Sequence, residues 1–335
     1  MTSRRELPYA WLIAGLSLVT LLAFLISLSV GPAPVGLGTL LTVGGTPAEA
    51  TAAIIFYEIR LPRAILGLAI GAALGLSGAA LQGLLRNPLA EPGIVGISGC
   101  AALGAVAVFY SGLAITWPLA LPFGGLVGAF VAVLLLYGLA GREASVTTLI
   151  LAGIALSALA GALTALALSL SPNPFALAEI VFWLLGSLAD RSMVHVALAV
   201  PFVVVGGALL LTSGRGLDGL SLGEEAAQSL GISTARLGLI VVVGTALAVG
   251  ASVAVSGAIG FVGLVVPHLI RPLVGYRPGK LLVPSALGGA ALLLLADSLV
   301  RVIGTGQELK LGVVTALIGA PFFLALIVSY RRRVV

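Results

Sequence analysis

The chain has 335 residues, of which 60% are hydrophobic and 9% are charged, and its formal net charge is +5. Its mean hydropathy of +1.22 excludes a soluble globular domain, because water could not solvate so apolar a surface. The basic residues are spread over many loops without interleaved aromatic side chains, which argues against nucleic acid as a partner. We therefore expect a single all-α domain in the lipid bilayer, spanning residues 1–335.

Apolar runs long enough to cross a hydrocarbon core as helices follow one another along the chain. We predict about ten spans, near residues 10–30, 62–84, 93–110, 116–139, 146–170, 193–213, 234–256, 258–272, 281–300 and 310–330. The first run follows Arg4 and Arg5, as in a signal peptide, but it is too long for the apolar core of one. We predict that it is retained as the first span.

The distribution of basic residues predicts the orientation of these spans. With the N-terminus in the cytoplasm, twelve of the 17 lysines and arginines fall on the inner side, which agrees with the positive-inside rule. The five on the outer side are Arg60, Arg63, Arg191, Arg301 and Lys310. Both termini are then cytoplasmic, and we expect a multi-pass protein of a bacterial inner membrane.

The second and ninth spans carry the main signals within the membrane. Gly67, Gly71 and Gly75 recur at every fourth position of the second span, a spacing that favours close helix packing. In the ninth span Asp297 and Arg301 stand four residues apart, where they can pair. The spans otherwise hold almost no carboxylates for a proton relay, which disfavours an ion-coupled secondary transporter and favours an external energy source.

Two segments between spans are long enough to carry a function. On the outer side, residues 171–192 include Glu179, Phe182 and Trp183 and predict an interfacial helix. On the inner side, residues 213–233 form the longest polar stretch. There Ser221 is a candidate helix cap, Glu224 and Glu225 suit a first turn, and Gly231 suits a helix end.

The inner segment has two interpretations at this point. It is either a solvated linker between two halves of the protein or a helix that docks into another protein. In the second case Ala226 and Ala227, beside the two carboxylates, would form a compact knob.

Signals for catalysis, nucleotides or metals are missing from the sequence. Gly275–Lys280 lacks the spacing of a Walker A motif, so we expect no ATP site of this kind. His195 and His268 have no second ligand at metal spacing, and the lone Cys100 excludes an intramolecular disulfide. We therefore expect no metal, no cofactor and no catalytic residue, and the Ser–His, paired Asp or HExxH pattern of an intramembrane enzyme is absent.

Four blocks of sequence resemble one known family. They are RLPRAILGLAIGAALGLSGAALQGLLRNPLAEPGIVG at 60–96, LGEEAAQSLG at 222–231, GAIGFVGLVVPHLIR at 257–271 with LLLADSLVR at 293–301, and GVVTALIGAPFF at 312–323. In order and spacing they are similar to the FecCD-type permeases, the membrane subunits of ABC importers for ferric siderophores, haem and cobalamin. The resemblance covers about residues 10–330 and implies the ten-helix type II ABC importer permease fold.

This resemblance also implies partners. It predicts a homodimer of this chain, two cytoplasmic ABC ATPase subunits that hydrolyse the ATP, and one periplasmic substrate-binding protein. The helix in the inner segment becomes the ATPase-coupling element. Its residues are Leu222, Gly223, Glu224, Glu225, Ala226, Ala227, Leu230 and Gly231.

The resemblance assigns roles to three outer arginines and to an inner gate. Arg60, Arg63 and Arg301 match arginines that pair with carboxylates of the binding protein; the alternative is that they anchor helix ends at the lipid headgroups. That anchoring role is the favoured one for Arg191 and Lys310. The predicted cytoplasmic gate consists of Asn87, Leu89, Val146 and Thr147.

Small residues of the fifth span fit either a passage for a bulky ligand or an ordinary helix interface. These residues are Gly153, Ser157, Ala160 and Gly161.

The predicted function is import of an iron complex, haem or a ferric siderophore, from periplasm to cytoplasm by ATP-driven alternating access. The outer segment WLLGSLADRS favours an iron chelate over cobalamin. A cobalamin permease is the first alternative, and an ion-coupled secondary transporter is the second.

Overall fold

The computed structural model describes residues 8–33, 35, 46–93, 95–117, 119–141, 146–171, 174–303 and 309–334. All regular structure in these ranges is helical, which confirms the predicted all-α class. Seven helices of the described chain are long and apolar enough to cross a membrane, and three shorter apolar helices accompany them. The total agrees with the ten predicted spans.

The helices of the described ranges follow one another along the chain. Their bounds are α1 Tyr9–Ser29, α2 Pro47–Ile54, a π-helical segment Ile55–Arg60, α3 Leu61–Leu84, α4 Ile97–Ser111, α5 Leu113–Thr116, α6 Ala120–Ala140, α7 Val146–Ser169, α8 Pro174–Leu184, α9 Met193–Thr212, α10 Gly214–Leu220, α11 Glu224–Ser229, α12 Thr234–Ser256, α13 Val262–Ile270, a 3₁₀ segment Arg271–Val274, α14 Pro278–Ile303 and α15 Leu311–Val334.

The second span is longer than predicted, because α2 and the π-helical segment run into α3. A capping box starts this extension: the Thr46 hydroxyl accepts from the Glu49 backbone N–H, and the Glu49 carboxylate accepts from that of Thr46. Polar residues such as Glu58 break the apolar run, so hydropathy alone does not indicate a helix here. Pro62 lies in the first turn of α3, where proline is tolerated.

Helices α3, α12 and α14 form the centre of the bundle, and most of their residues are buried. The backbones of α3 and α14 touch: a Cβ added at Gly71 or Gly75 would overlap the carbonyl oxygen of Gly289 or of Ser285. The predicted glycine packing of the second span is therefore confirmed. With little hydrophobic drive between helices in lipid, such close contact is a main source of their association.

Helix α14 gives the bundle two distinguishable ends. Its first turn lies beside α10, whereas Asp297 and Arg301 near its last turn contact α1 and α3. Following the predicted orientation, we call the end that carries α10 and α11 the inner end and the opposite one the outer end. Candidate functional residues occur at both ends.

Candidate functional site

At the inner end the predicted helix is present as α11, and a helix that was not predicted, α10, comes before it. Helix α10 precedes α11, and Gly223 begins α11 with φ of 111°, in the region that favours glycine. The prediction that Ser221 caps the second helix is wrong, because this residue ends α10 and its hydroxyl donates to the Asp218 carbonyl at 2.6 Å. Gly231, at φ 77°, follows the end of α11 as predicted.

The exposed surface of this segment differs from the predicted knob. Ala227 is fully buried, and its carbonyl oxygen accepts from the N–H groups of Leu230 and Ile232. The prominent apolar side chains are instead Leu222, 69% exposed, and Leu230, 64% exposed. One exposed leucine thus lies before the six-residue helix α11 and the other after it, and Glu225 is exposed between them. Together they form a compact surface that is apolar at both ends.

Two ion pairs attach this segment to the rest of the inner end. Asp218 in α10 accepts from the Gly279 N–H at 2.7 Å and pairs with Arg277 at 2.9 Å. Glu224 in α11 approaches Arg86 at 3.8 Å. Sequence reasoning missed the role of Asp218, because Arg277 and Gly279 lie about 60 residues further along the chain.

The predicted gate residues lie in two places. Asn87 and Leu89 lie on an exposed turn in which the Asn87 side-chain oxygen accepts from the Leu89 N–H at 2.9 Å. Thr147 is exposed in the first turn of α7; Val146 begins that helix, but its side chain lies outside the described residues. The contact that joins this loop to α7 is made further on, from the Ser157 hydroxyl to the Gly93 carbonyl at 2.8 Å.

The small residues of α7 favour a helix interface. A Cβ at Gly96 would lie 3.1 Å from the Gly153 carbonyl oxygen, and one at Gly99 would lie 3.5 Å from the Ala160 Cβ. Gly153 and Ala160 thus face the start of α4. Gly161, by contrast, is exposed and has nothing within 4 Å of an added Cβ. The exposed surface of α7 also includes large apolar side chains, as at Leu151, Leu159 and Leu166.

Glu91 is a half-buried carboxyl group that sequence reasoning did not single out. It lies in the loop between α3 and α4, and the backbone N–H of Phe261 donates to it just before α13 begins. Burial raises the pKa of Glu91, and the hydrogen bond from Phe261 partly opposes that change. Phe261 itself has φ of 67°, so this carboxyl group braces a strained turn.

At the outer end, Asp297 lies between two arginines. Its carboxylate receives hydrogen bonds from Arg63 Nε at 3.0 Å and Nη2 at 2.9 Å, and it pairs with Arg301 at 3.1 Å. The predicted Asp297–Arg301 pair is therefore confirmed, whereas the bond to Arg63 was not predicted. Arg301 also donates to the Ser27 and Val30 carbonyls, at 2.8 and 2.7 Å.

Arg60 completes this outer cluster by covering the end of α1. Its guanidinium group donates to the Leu28, Ser29, Ala33 and Val35 carbonyls. The last carbonyls of a helix lack partners within the helix, so these bonds satisfy the end of α1. Arg60 and Arg63 are only 3% and 8% exposed, although docking residues were expected at the surface. Their predicted contact with a binding protein stays a prediction.

A cavity of about 360 Å³ lies at the outer end, between α4, α6, α8, α9 and α12. Trp183, which we expected at a membrane interface, is buried here against Phe109. The Lys310 ammonium group lies 5.4 Å from the centre of the Phe182 ring, and Arg191 donates to the Val255 carbonyl at 2.5 Å. Burial lowers the pKa of Arg191, and Asp190 partly restores it. Both basic residues thus have a contact partner within the chain.

In the described ranges, no three His, Cys, Asp or Glu side chains group so as to hold a metal ion. The candidate site consists of the exposed α11 segment at the inner end, the charged cluster at the outer end and the helices between them.

The model of the FecCD transport family matches residues 19–329 of the chain. Among curated proteins, the chain is 41% identical over 284 residues to an uncharacterized ABC transporter permease protein, YvrB, of Bacillus subtilis, covering 83% of this chain and 80% of that protein. It is 42% identical over 283 residues to the cobalamin import system permease protein BtuC of Halobacterium salinarum, covering 83% and 74%.

Two further comparisons cover almost the whole chain. It is 38% identical over 327 residues to the vitamin B12 import system permease protein BtuC of Salmonella typhimurium, covering 96% of each protein. Among solved structures, an inward-facing conformation of a metal-chelate type ABC transporter matches with a TM-score of 0.83 and 34% identity, covering 96% of this chain and 99% of that one.

Proposed function

The chain belongs to the FecCD transport family, and we propose that it is the membrane subunit of an importer for a bulky metal chelate, with cobalamin as the first substrate to test. The observation that carries the proposal is the inner segment: a short helix with two exposed leucines, in a chain whose relatives are ABC transporter permeases. Exposed leucines in a polar segment suit an apolar contact with a protein partner, and the predicted orientation puts them on the side where ATP is available.

The partner at the inner end is an ABC ATPase. Leu222 and Leu230 enter its cleft as apolar anchors, while Glu224, Glu225 and Ala226 form the rim, and Gly223 and Gly231 set the bends at each end. Ala227 acts from within by packing the helix onto the chain. ATP hydrolysis takes place in that separate subunit, and this chain supplies the path through the membrane.

Two copies of the chain enclose that path, with two ATPases below and one binding protein above, in a bacterial plasma membrane with both termini inside. The exposed apolar face of α7 would meet the second copy or lipid. Asn87, Leu89, Val146 and Thr147 lie at the inner mouth of the path. Alternating access follows when nucleotide binding moves the inner segments and opens one end as it closes the other.

At the outer end, Arg60, Arg63 and Arg301 give the docking surface for the binding protein its positive charge. Their guanidinium groups are buried, so they act through the field that steers an acidic partner and sets its register. The same groups hold the ends of α1, α3 and α14 together.

Cobalamin is the favoured substrate because two of the relatives above carry cobalamin or vitamin B12 in their names. An iron complex is the second candidate, because segment 183–192 resembles that of iron-chelate importers and lines the outer cavity through Trp183, Ser187 and Arg191. Either ligand is captured first by the binding protein, so the membrane path needs no tight site.

The test is uptake into proteoliposomes that hold the chain with its ATPase and binding protein. Cyanocobalamin, haem and a ferric siderophore are each offered with and without ATP on the ATPase side. Uptake of one ligand that needs ATP and all three proteins supports the proposal and identifies the substrate. Uptake by the chain alone along a proton or sodium gradient would contradict it and favour a secondary transporter.

A further inference from the structure

Asp218 joins the inner segment to the start of α14 through two bonds of different kinds. Its Oδ1 atom accepts from the Gly279 N–H at 2.7 Å, and its Oδ2 atom pairs with Arg277 at 2.9 Å. Gly279 is the second residue of α14, where backbone N–H groups lack partners within the helix and the helix dipole favours an anion. Asp218 therefore caps a helix that lies far along the chain from its own.

The backbones of α10 and α14 lie close together around this bond. A Cβ at Gly279 would lie 2.6 Å from the Gly214 carbonyl oxygen, so the first turns of α10 and α14 are in direct contact. Leu217 is fully buried one turn later and lies next to Gly83 near the end of α3. Helix α10 is thus wedged between the inner ends of α3 and α14.

The second link from this segment is much weaker. Arg86 and Glu224 stand 3.8 Å apart, with side chains 48% and 39% exposed, and exposed pairs of this kind contribute little. The Arg277 side chain is 58% exposed as well, so the stronger part of the first link is the hydrogen bond from the Gly279 N–H to Asp218. Beside the chain connection from α11 to α12, this bond gives displacement of α11 a direct route through α10 to α14.

The α3–α14 pair can carry such a displacement across the membrane. Its backbones touch at Gly71, Gly75 and Gly289, so the two helices move together. Gly279 and Asp297 are eighteen residues apart in α14, about 27 Å along a helix. At the far end Asp297 binds Arg63 of α3. Asp218 thus binds the inner end of this pair of helices, and Asp297 joins the two helices at the outer end.

We propose that Asp218 is the positioning residue that passes movement of the coupling segment to the α3–α14 pair and so to the outer end. The inference rests on the proposed function, since it takes an ATPase as the partner that moves α11. Asp218 lies outside the docking surface for the ATPase. The proposed movement passes from α10 through Asp218 to α14 and α3.

The test uses the complete complex in proteoliposomes and four single variants. Asp218→Ala removes both bonds, Asp218→Asn keeps an acceptor for Gly279, and Arg277→Gln removes only the ion pair. Arg215→Gln is the matched control, because Arg215 is an exposed basic residue of the same helix. We measure ligand imported per ATP hydrolysed, with cyanocobalamin as the probe.

Loss of folding or of complex would lower uptake and hydrolysis together and leave their ratio unchanged. Loss of transmission lowers the ratio. We expect Asp218→Ala to lower it about tenfold, within the usual range of coupling between sites, with Asp218→Asn and Arg277→Gln intermediate and Arg215→Gln equal to the unaltered chain. An unaltered ratio in Asp218→Ala would overturn the proposal.

A second readout needs no substrate and separates this proposal from the proposed function. Spin labels at Val302 and Val194, exposed at the outer ends of α14 and α9, report their distance with and without trapped nucleotide, in a Cys100→Ala background. We expect Asp218→Ala to remove at least half of the nucleotide-dependent shift. If the unaltered complex imports none of the three ligands but Asp218 controls this shift, the substrate proposal fails and the present one stands. A full shift in Asp218→Ala would overturn it.

Discussion

The carboxylate of Asp297 accepts hydrogen bonds from Nε and Nη2 of Arg63 at 2.9 to 3.0 Å, although 234 residues separate the two in sequence. Both side chains are buried, and Arg301 pairs with the same carboxylate. A carboxylate in an apolar helix costs a great deal of free energy unless it is paired. The cluster therefore fixes how α1, α3 and α14 meet at the outer end.

The first prediction concerns this cluster. Asp297→Asn leaves two buried guanidinium groups without their anion, and breaking a buried pair in this way costs about 3–5 kcal/mol. We expect a clear fall in the melting temperature of the detergent-solubilised protein. Glu225→Gln, which neutralises an exposed carboxylate, is the control and should melt as the unaltered chain does. Equal melting of Asp297→Asn and the control would mean that the cluster does not hold the helices.

The second prediction concerns the glycine contact of α3 with α14. A Cβ at Gly75 would overlap the Ser285 carbonyl, so Gly75→Ala forces the helices apart. We expect a loss of about 1–3 kcal/mol, as for other overpacked sites, measured by thermal unfolding in detergent. Gly15→Ala in α1 is the matched control, because nothing lies within 4 Å of its added Cβ. A loss in Gly15→Ala as large as in Gly75→Ala would show that glycine itself, rather than the contact, matters.

The sequence predicted the features that depend on composition and short spacing. Membrane thickness sets the length of a span, so α1, α7 and α12 lie within a residue or two of their predicted bounds. The Asp297–Arg301 pair followed from its four-residue spacing. Arg63 could not be paired with Asp297 in the same way, because that bond depends on how α3 packs on α14.

Predictions of helix ends and of exposure from short sequence patterns were wrong within the inner segment. Ser221 precedes two glutamates and resembles a helix cap, but Gly223 adopts the positive φ and starts α11 instead. Ala227 was predicted to face outward because it lies in a polar segment, yet the turn at Gly231 folds it inward. Which residues of the short helix α11 are exposed depends on where α10 packs in the folded protein. A pattern in a single sequence does not give that position.

The third prediction tests the docking surface. Leu222→Ser and Leu230→Ser remove exposed apolar side chains, so folding should be unaffected while affinity for the ATPase falls by roughly tenfold each, as for an anchor residue. The affinity is measured by copurification and by titration of the ATPase against the detergent-solubilised permease. Gln228→Ala, on the exposed part of the same helix, is the control. Unchanged affinity in both leucine variants would exclude this surface as the ATPase contact.

The fourth prediction concerns pH and the half-buried Glu91. Burial raises its pKa above the ordinary value of a glutamate, so the folded protein holds the proton more tightly than the unfolded chain. The stability gained from this proton is fully present below about pH 4.3, the unfolded value, and is lost as the pH rises through the folded pKa. Glu91→Gln stays neutral and still offers an acceptor to the Phe261 N–H, so it should not lose stability over this interval. We expect the difference in melting temperature between Glu91→Gln and the unaltered chain to shift in favour of the variant as the pH rises. A difference that does not change with pH would mean that Glu91 ionises in the folded protein as it does in the unfolded chain.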